Sequence, residues 1–313
     1  MSPAVEVVVV NWRRADLTIE CVESLLPQLA EVDAVVTVVD NASGDGSVER
    51  LRSALPGVRV LESPVNGGFG AGVDLAAGAS TADVLVLLNN DAVARPGFLR
   101  ALTGPVLDGS VTGATTARIL LRAEPGEPVR TNSTGNVVDR SGNGGDRDWL
   151  VPHPADADPE VFGFCGGACA IAMPAFRQAG GFDESLFMYY EDTDLSWRLR
   201  RLGHGVRFVG DAVAVHRHAS SLGTGSAGFV TANTRNRVVV AVKNAPWGVV
   251  ARAVARTLVR TALDSAARDP RARDRGRAER HGLAQAVTRL PAALRARRTI
   301  DRTATAPRPR LDG

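Results

Sequence analysis

Val5-Glu6-Val7-Val8-Val9-Val10-Asn11-Trp12 is a β-branched run that stops on polar side chains. Such a nearly continuous apolar run suits a strand buried on both faces, as in a parallel sheet. The next eighty residues repeat the theme. Leu17, Cys21, Leu25 and Leu29 recur at helical spacing, and residues 34–40 form a second strand-like run followed by a helix over 47–55. A short strand at 58–61, a glycine-rich helix at 70–78 and a very apolar strand at 83–88 complete the series. The order β-α-β-α-β-α-β predicts an α/β fold: a Rossmann-like, mostly parallel sheet flanked by helices. Ligands of such sheets bind beyond the carboxyl ends of the strands. Here those ends read Asn11-Trp12, Asp40-Asn41 and Asn89-Asn90-Asp91.

Further along, residues 122–160 are rich in Gly, Pro, Asp and Asn and read as a loop-rich insertion. A second ordered block spans 162–218, and helical patterns resume from Ala245. The expected organisation is a ligand-binding half over 1–100, a second half over 101–244 and a helical tail over 245–313.

Composition narrows the class. The 313 residues carry 37 Lys+Arg against 34 Asp+Glu, an ordinary globular balance that excludes wholesale disorder. No apolar run approaches the ~18 residues of a membrane span. The N-terminus lacks the basic stretch of a signal peptide, and three cysteines make no disulfide framework, so a cytoplasmic protein is expected. Lys243 is the sole lysine, and the tail holds 16 Arg against 6 acids, which leaves the body acidic. Arg252, Arg256 and Arg260 form one stripe in the tail; Val250, Val254 and Leu258 form another. Leu283, Val287, Leu290 and Leu294 add a third. A basic amphipathic helix fits an anionic membrane surface, which would make the protein peripheral on the inner face of the plasma membrane. The alternative is packing on the body or on a second subunit in a homodimer. Nucleic acid is not expected, because no reading motif accompanies the arginines.

The strand ends carry the chemistry. A carboxylate at Asp40 suits the N3–H of a pyrimidine or ribose hydroxyls; equally, Asp40 suits a turn before a helix capped by Ser43 or Asp45. In Asn66-Gly67-Gly68-Phe69-Gly70-Ala71-Gly72, bare backbone N–H groups could face a phosphate. Asp91 at a strand mouth suits Mg²⁺ or Mn²⁺ bridging a diphosphate, or a helix N-cap. Glu191, Asp192 and Asp194 open a predicted helix, and three acids exceed what capping needs. Beside apolar surface, one of them could act as a general base. A strand then ends on His216 and His218, of which His216 could complete a metal site. Cys165 and Cys169 read as packing residues under an acceptor site, and Met188-Tyr189-Tyr190 as core or a sugar platform.

Taken together, Asn11-Trp12, Val39-Asp-Asn-Ala-Ser43, Asn66-Gly-Gly-Phe-Gly-Ala-Gly72, Leu88-Asn-Asn-Asp-Ala92 and Phe187-Met-Tyr-Tyr-Glu-Asp-Thr-Asp194 resemble family 2 glycosyltransferases in order and spacing. The likeness is to the bacterial rhamnosyltransferase-like branch and covers residues 5–220. It implies a GT-A fold, a nucleotide-sugar donor, a divalent metal and inversion at the anomeric carbon. On this resemblance Asp40 would hold the base, while Asn11, Asn41, Asn66, Gly67, Gly68 and Asn90 would line the donor pocket. Asp91 matches the second acid of the family's Asp-x-Asp motif; Asn89 stands in the first position and leaves a single carboxylate. His216 would join the metal, and Asp192 would be the base, with Glu191 as second choice. The implied acceptor is a glycan, a polyprenyl-linked glycan or a metabolite. Two other readings compete. A sugar nucleotidyltransferase would want a glycine-rich loop after the first strand, which is lacking. A non-catalytic nucleotide-sugar-binding protein would have no use for the acid cluster.

Overall fold

A computed structural model of the chain describes residues 4–154, 157–217, 226–309 and 311. Its first half alternates β1 (Val5–Asn11), α1 (Ala15–Leu25), β2 (Ala34–Asp40), α2 (Ser47–Ala54), β3 (Arg59–Glu62), α3 (Gly68–Gly78) and β4 (Val84–Leu88). There follow β5 (Ala92–Ala94), α4 (Phe98–Leu107), β6 (Ala114–Leu121), β7 (Thr131–Ser133), β8 (Asn136–Val138) and β9 (Gly144–Asp146). The second half continues through β10 (Ala168–Ala172), α5 (Met173–Ala179), α6 (Glu191–Arg201) and β11 (Val206–His216). Three helices close the chain: α7 (Ala227–Asn244), α8 (Trp247–Ala266) and α9 (Pro270–Thr303).

The sheet runs in the order β3-β2-β1-β4-β10-β6-β11-β5, with β7 on the edge of β6. Strands β3, β2, β1 and β4 are parallel, as the valine-rich runs predict. Beyond β4 the sheet is mixed: β10 runs antiparallel to both β4 and β6, and β5 antiparallel to β11, while β11 is parallel to β6. Alternate residues of β1 feed two cores. Val5, Val7 and Val9 pack with α1, α2 and α4, and Val8 packs on the other face with α3, α5 and α6.

The helix expected over 17–29 divides at Pro27. Helix α1 ends at Leu25 and a 3-10 turn covers Leu26–Glu31, because proline removes a helical donor and is tolerated only at a new start. Leu17 lies off the core face and borders the cleft described below.

Helices α7, α8 and α9 share a third core with Trp197 and Tyr190. Helices α7 and α9 approach so closely at Gly282 that a Cβ there would lie 2.6 Å from the Thr231 carbonyl oxygen. The arginine stripe of α8 makes contacts with the body and with α9, as in the packing alternative. Arg252 donates to the Arg140 carbonyl (2.7 Å), Arg256 to the Ser141 hydroxyl (2.6 Å), and Arg260 pairs with buried Glu279 (2.9 Å). The face of α8 that is buried carries Val249, Val250, Ala253, Thr257 and Thr261, whereas Leu258 is exposed. A strict four-residue repeat drifts by about 40° per step on a helix, so a stripe read that way leaves the packed face. In α9, Leu283 and Leu290 pack inward but Val287 is exposed.

Candidate active site

The strand ends open on one cleft of about 480 Å³. Asn41, Asn66, Gly68, Asn89, Asn90 and Asp91 line one part. The insertion, the approach to and start of α6 and the end of β11 line the rest, through Asn132, Gly145, Asp146, Trp149, Tyr189, Glu191, Asp192 and His216. Asn11, Asp40 and Gly67 are not in the lining.

Asp40 is buried beneath the cleft. Its Oδ1 accepts from Asn11 Nδ2 (2.7 Å) and the Ser43 hydroxyl (2.6 Å), and its Oδ2 from the Ser43 amide (3.0 Å). Asn11 accepts in turn from the Thr18 hydroxyl (2.8 Å), to which Asn90 donates (3.1 Å). The polar ends of β1, β2 and β4 are therefore one hydrogen-bonded network.

The glycine turn behaves differently from the phosphate cradle that the sequence suggests. Asn41 donates to Asn66 Oδ1 (3.0 Å) and to the Gly68 carbonyl (2.9 Å). The Gly67 and Gly68 amides donate to Asn41 and Asn66 side chains (3.2 and 3.1 Å), and the Phe69 amide to the Phe187 carbonyl (3.2 Å). All three N–H groups are thus spent inside the protein.

Asp91 and His216 come together across the sheet edge. The antiparallel pairing of β5 with β11 sets His216 opposite Ala92. His216 Nε2 then lies 2.8 Å from Asp91 Oδ1, and Nδ1 2.6 Å from Asn132 Oδ1. With its Nδ1 proton donated to Asn132, the ring offers Nε2 beside a carboxylate oxygen, one nitrogen and one oxygen donor. This pair fits a hard divalent ion that takes its other ligands from water and diphosphate. Among the described residues no group of three or more His, Cys, Asp or Glu is placed to hold a metal. Asn132 lies in the insertion and carried no sequence signal beyond its polar setting. His218 lies outside the described residues.

The three acids at the α6 start separate by environment. Asp194 is fully buried, paired with Arg198 and Lys243 (both 2.8 Å) and accepting from Asn244 (2.7 Å). Burial works against its charge, but Lys243 and Arg198 outweigh it and hold the carboxyl at about 2. Asp194 is therefore a tie between α6 and α7. Asp192 faces the cleft; its Oδ2 accepts from the Gly166 amide (3.1 Å) and its Oδ1 from the Thr193 amide (2.6 Å). Burial raises its pKa despite those donors. Glu191 is raised by burial and then by the charge of Asp192, and its Oε2 is buried with no hydrogen-bond partner. A fourth acid, Asp146, was hidden in the loop-rich insertion; it also lines the cleft, and burial pushes it up to about 6. Cys165 borders the cleft and Cys169 is core. Tyr189 and Tyr190 both line the cleft; Tyr190 is the more buried, its hydroxyl accepting from the Gly144 amide (3.2 Å).

Comparison with known proteins gives the family and the fold class. A profile of the family described as Glycosyl transferase family 2 matches residues 6–172. The N-acetylglucosaminyl-diphospho-decaprenol L-rhamnosyltransferase of Mycobacterium tuberculosis is 28% identical over 247 residues, 68% of this chain and 76% of that protein. Among solved structures, GalNAc-T7 with UDP, GalNAc and Mn²⁺ superposes with a TM-score of 0.62 at 15% identity, covering 93% of this chain and 58% of that one. The mannosyltransferase PcManGT from Pyrobaculum calidifontis, with GDP-Man and Mn²⁺, gives 0.54 at 18% identity over 96% and 87%. Fold and comparisons together define a glycosyltransferase of the GT-A class. The chain belongs to glycosyltransferase family 2, and its likeness is to the rhamnosyltransferase-like branch.

Proposed function

We propose that the chain moves a sugar, with rhamnose the favoured one, from a dTDP- or UDP-sugar to a hydroxyl of a glycan, a lipid-linked glycan or a metabolite, with inversion. The observation that carries this reading is Asp192: a carboxylate of raised basicity, fixed by two backbone amides and facing a cleft bordered by the strand ends. A sugar hydroxyl is a weak nucleophile at neutral pH, so Asp192 accepts its proton as the oxygen attacks the anomeric carbon. The nucleoside diphosphate departs from the opposite face. Asn41, Asn66, Gly68 and Asn90 border the donor end, with Asn11, Asp40 and Gly67 bracing it from below. Asp91 and His216 would hold Mg²⁺ or Mn²⁺, which when bound supplies positive charge against the leaving diphosphate.

A thermal-shift panel of dTDP- and UDP-sugars with Mn²⁺ tests the donor. Stabilisation by one nucleotide series supports the reading, and indifference to all of them overturns it. For the tail, the support is the exposed apolar residues Leu258, Val259 and Leu263 of α8 together with the 16 arginines of residues 245–313, a combination that suits an anionic bilayer on the cytoplasmic side. Among the described residues no helix is long and apolar enough to cross a membrane. Co-sedimentation with anionic liposomes checks this surface; a homodimer formed without lipid would instead assign the face to a second copy.

A further inference from the structure

We propose that Gly144-Gly145-Asp146 on β9 is the seat of the acceptor, and that the acceptor is an uncharged pyranose ring. This inference rests on the transfer reading above and adds the class of acceptor to it.

Strand β9 pairs with β8 so that Asp146 stands opposite Asn136, and all three β9 residues line the cleft. A Cβ at Gly145 would meet no atom within 4 Å. Its backbone is not left-handed, so the conformation does not demand glycine there. What the missing side chain leaves is open space against bare backbone. Gly144 is different: a Cβ there would press on Thr193 Oγ1 and Tyr190 Cε1 (both 3.1 Å), and its amide donates to the Tyr190 hydroxyl. That contact clamps β9 against the first turn of α6, beside Asp192. The bare strand therefore lies next to the base, where an attacking hydroxyl must sit.

Asp146 marks the ligand's chemistry. Burial first and then the charge of Asp192 raise its carboxyl, while Ser133, Cys165 and His216 act against that rise. A partly buried carboxylate that lines a cleft is satisfied by O–H donors, and sugar hydroxyls supply several. Two neighbouring acids disfavour an anionic ring in the same place. Trp149 and Tyr189 line the same cleft, Tyr189 packed edge-on against Phe229 (4.9 Å), and offer aromatic surface to the C–H face of a sugar.

The test uses the full chain with Mn²⁺ and the donor identified by the thermal-shift panel, following donor hydrolysis and transfer to octyl glucoside, galactoside, mannoside, N-acetylglucosaminide and glucuronide, with octanol alongside. Wild type is expected to glycosylate at least one neutral pyranoside and not the glucuronide. Gly145→Phe fills the seat without backbone strain; it should lose transfer about 100-fold while donor hydrolysis and the nucleotide thermal shift persist. Asp146→Asn should raise the KM of that pyranoside about tenfold, the loss of one charge-assisted hydrogen bond, with the donor KM unchanged. Wild-type transfer by Gly145→Phe overturns the proposal. So does a wild type that hydrolyses donor yet glycosylates octanol only or no pyranoside at all. A wild type that neither binds nor turns over any nucleotide sugar fails earlier, on the transfer reading itself.

Discussion

The carbonyl oxygen of Phe187 occupies the space where a side chain at residue 68 would begin. A Cβ on Gly68 would lie 2.0 Å from that oxygen, and Gly68 has a left-handed φ of +86°. The contact joins the glycine turn at the strand ends to the loop that leads into Glu191 and Asp192. Phe187, Tyr189 and Tyr190 in that loop also have positive φ (65°, 69° and 71°). Asn236 of α7 holds it by donating to the Leu186, Met188 and Tyr189 carbonyls (3.0, 2.9 and 2.7 Å).

Gly68→Ala must therefore displace the Phe187 loop as well as strain its own backbone. Strain of this kind costs about 1–3 kcal/mol, and the displaced loop carries the acids with it. The variant should melt lower and lose turnover by more than its loss of folded protein explains. Thermal melting paired with donor hydrolysis measures both, and an alanine variant with wild-type turnover would show that the two halves of the cleft are not coupled here.

The choice between Asp192 and Glu191 as base follows from their surroundings. Asp192 keeps two amide donors that favour its anion, whereas Glu191 has an unpartnered oxygen and carries the repulsion of Asp192. Asp192→Asn should leave the fold intact and lower transfer by about 10²- to 10⁴-fold. Glu191→Gln, which copies a protonated Glu191, should cost far less at pH 7. Stability supplies a second readout. Both carboxyls are raised in the folded chain, so the metal-free protein is favoured at low pH and loses stability as pH rises from the ordinary carboxylate range through the raised values. Glu191→Gln should flatten that decline in a melting-temperature series.

The sequence exposes the first half well because each strand there is an apolar run ending on a polar residue. Such a pattern locates the strand and its mouth together, as at Asn11, Asp40 and Asp91. It says less about direction. Asp40 reads as a ligand, yet its carboxylate is satisfied by Asn11 and Ser43, because hydrogen bonding between neighbouring strand ends leaves no periodic trace. The glycines at 67 and 68 read as a phosphate cradle; what Gly68 accommodates is the carbonyl of Phe187, 119 positions along the chain and so beyond the reach of any local pattern. Asn132 and Asp146 were hidden in a polar, loop-rich stretch where every residue looks equally solvated. Their strands β7 and β9 are three residues each, too short for alternation to show.

Lys243, the only lysine, is expected to be a stability residue. Its ammonium group is buried between Asp183 and Asp194 (2.7 and 2.8 Å) and ties α7 to α6. Lys243→Met removes one cation and leaves Asp194 with Arg198 and the Asn244 amide, which should cost about 3–5 kcal/mol in chemical denaturation. The acid limb gives the sign. Asp194 is depressed to about 2 in the folded chain, so its contribution is complete above the unfolded value near 3.9 and is lost as pH falls from there through about 2. Lys243→Met should be less stable at pH 7 and lose less on acidification than wild type. Equal acid sensitivity would place the stabilisation elsewhere.

Asn132 is expected to act on metal binding without touching the metal. It accepts from His216 Nδ1 at 2.6 Å, which leaves Nε2 turned to Asp91. A hydrogen bond that fixes the tautomer of a metal-binding histidine typically contributes about 10- to 100-fold in affinity. Asn132→Leu removes the acceptor and should weaken Mn²⁺ binding by that order in a titration followed by electron paramagnetic resonance. Asn132→Asp keeps an acceptor oxygen in the same place and should hold affinity near or above wild type. Because Asn132 is buried, a general loss of structure in the leucine variant would lower its melting temperature without Mn²⁺ as well; a selective effect appears only as a smaller Mn²⁺-induced rise. His216→Ala should remove most of that rise, and Mn²⁺ stabilising His216→Ala as strongly as wild type would move the ion away from the Asp91–His216 pair.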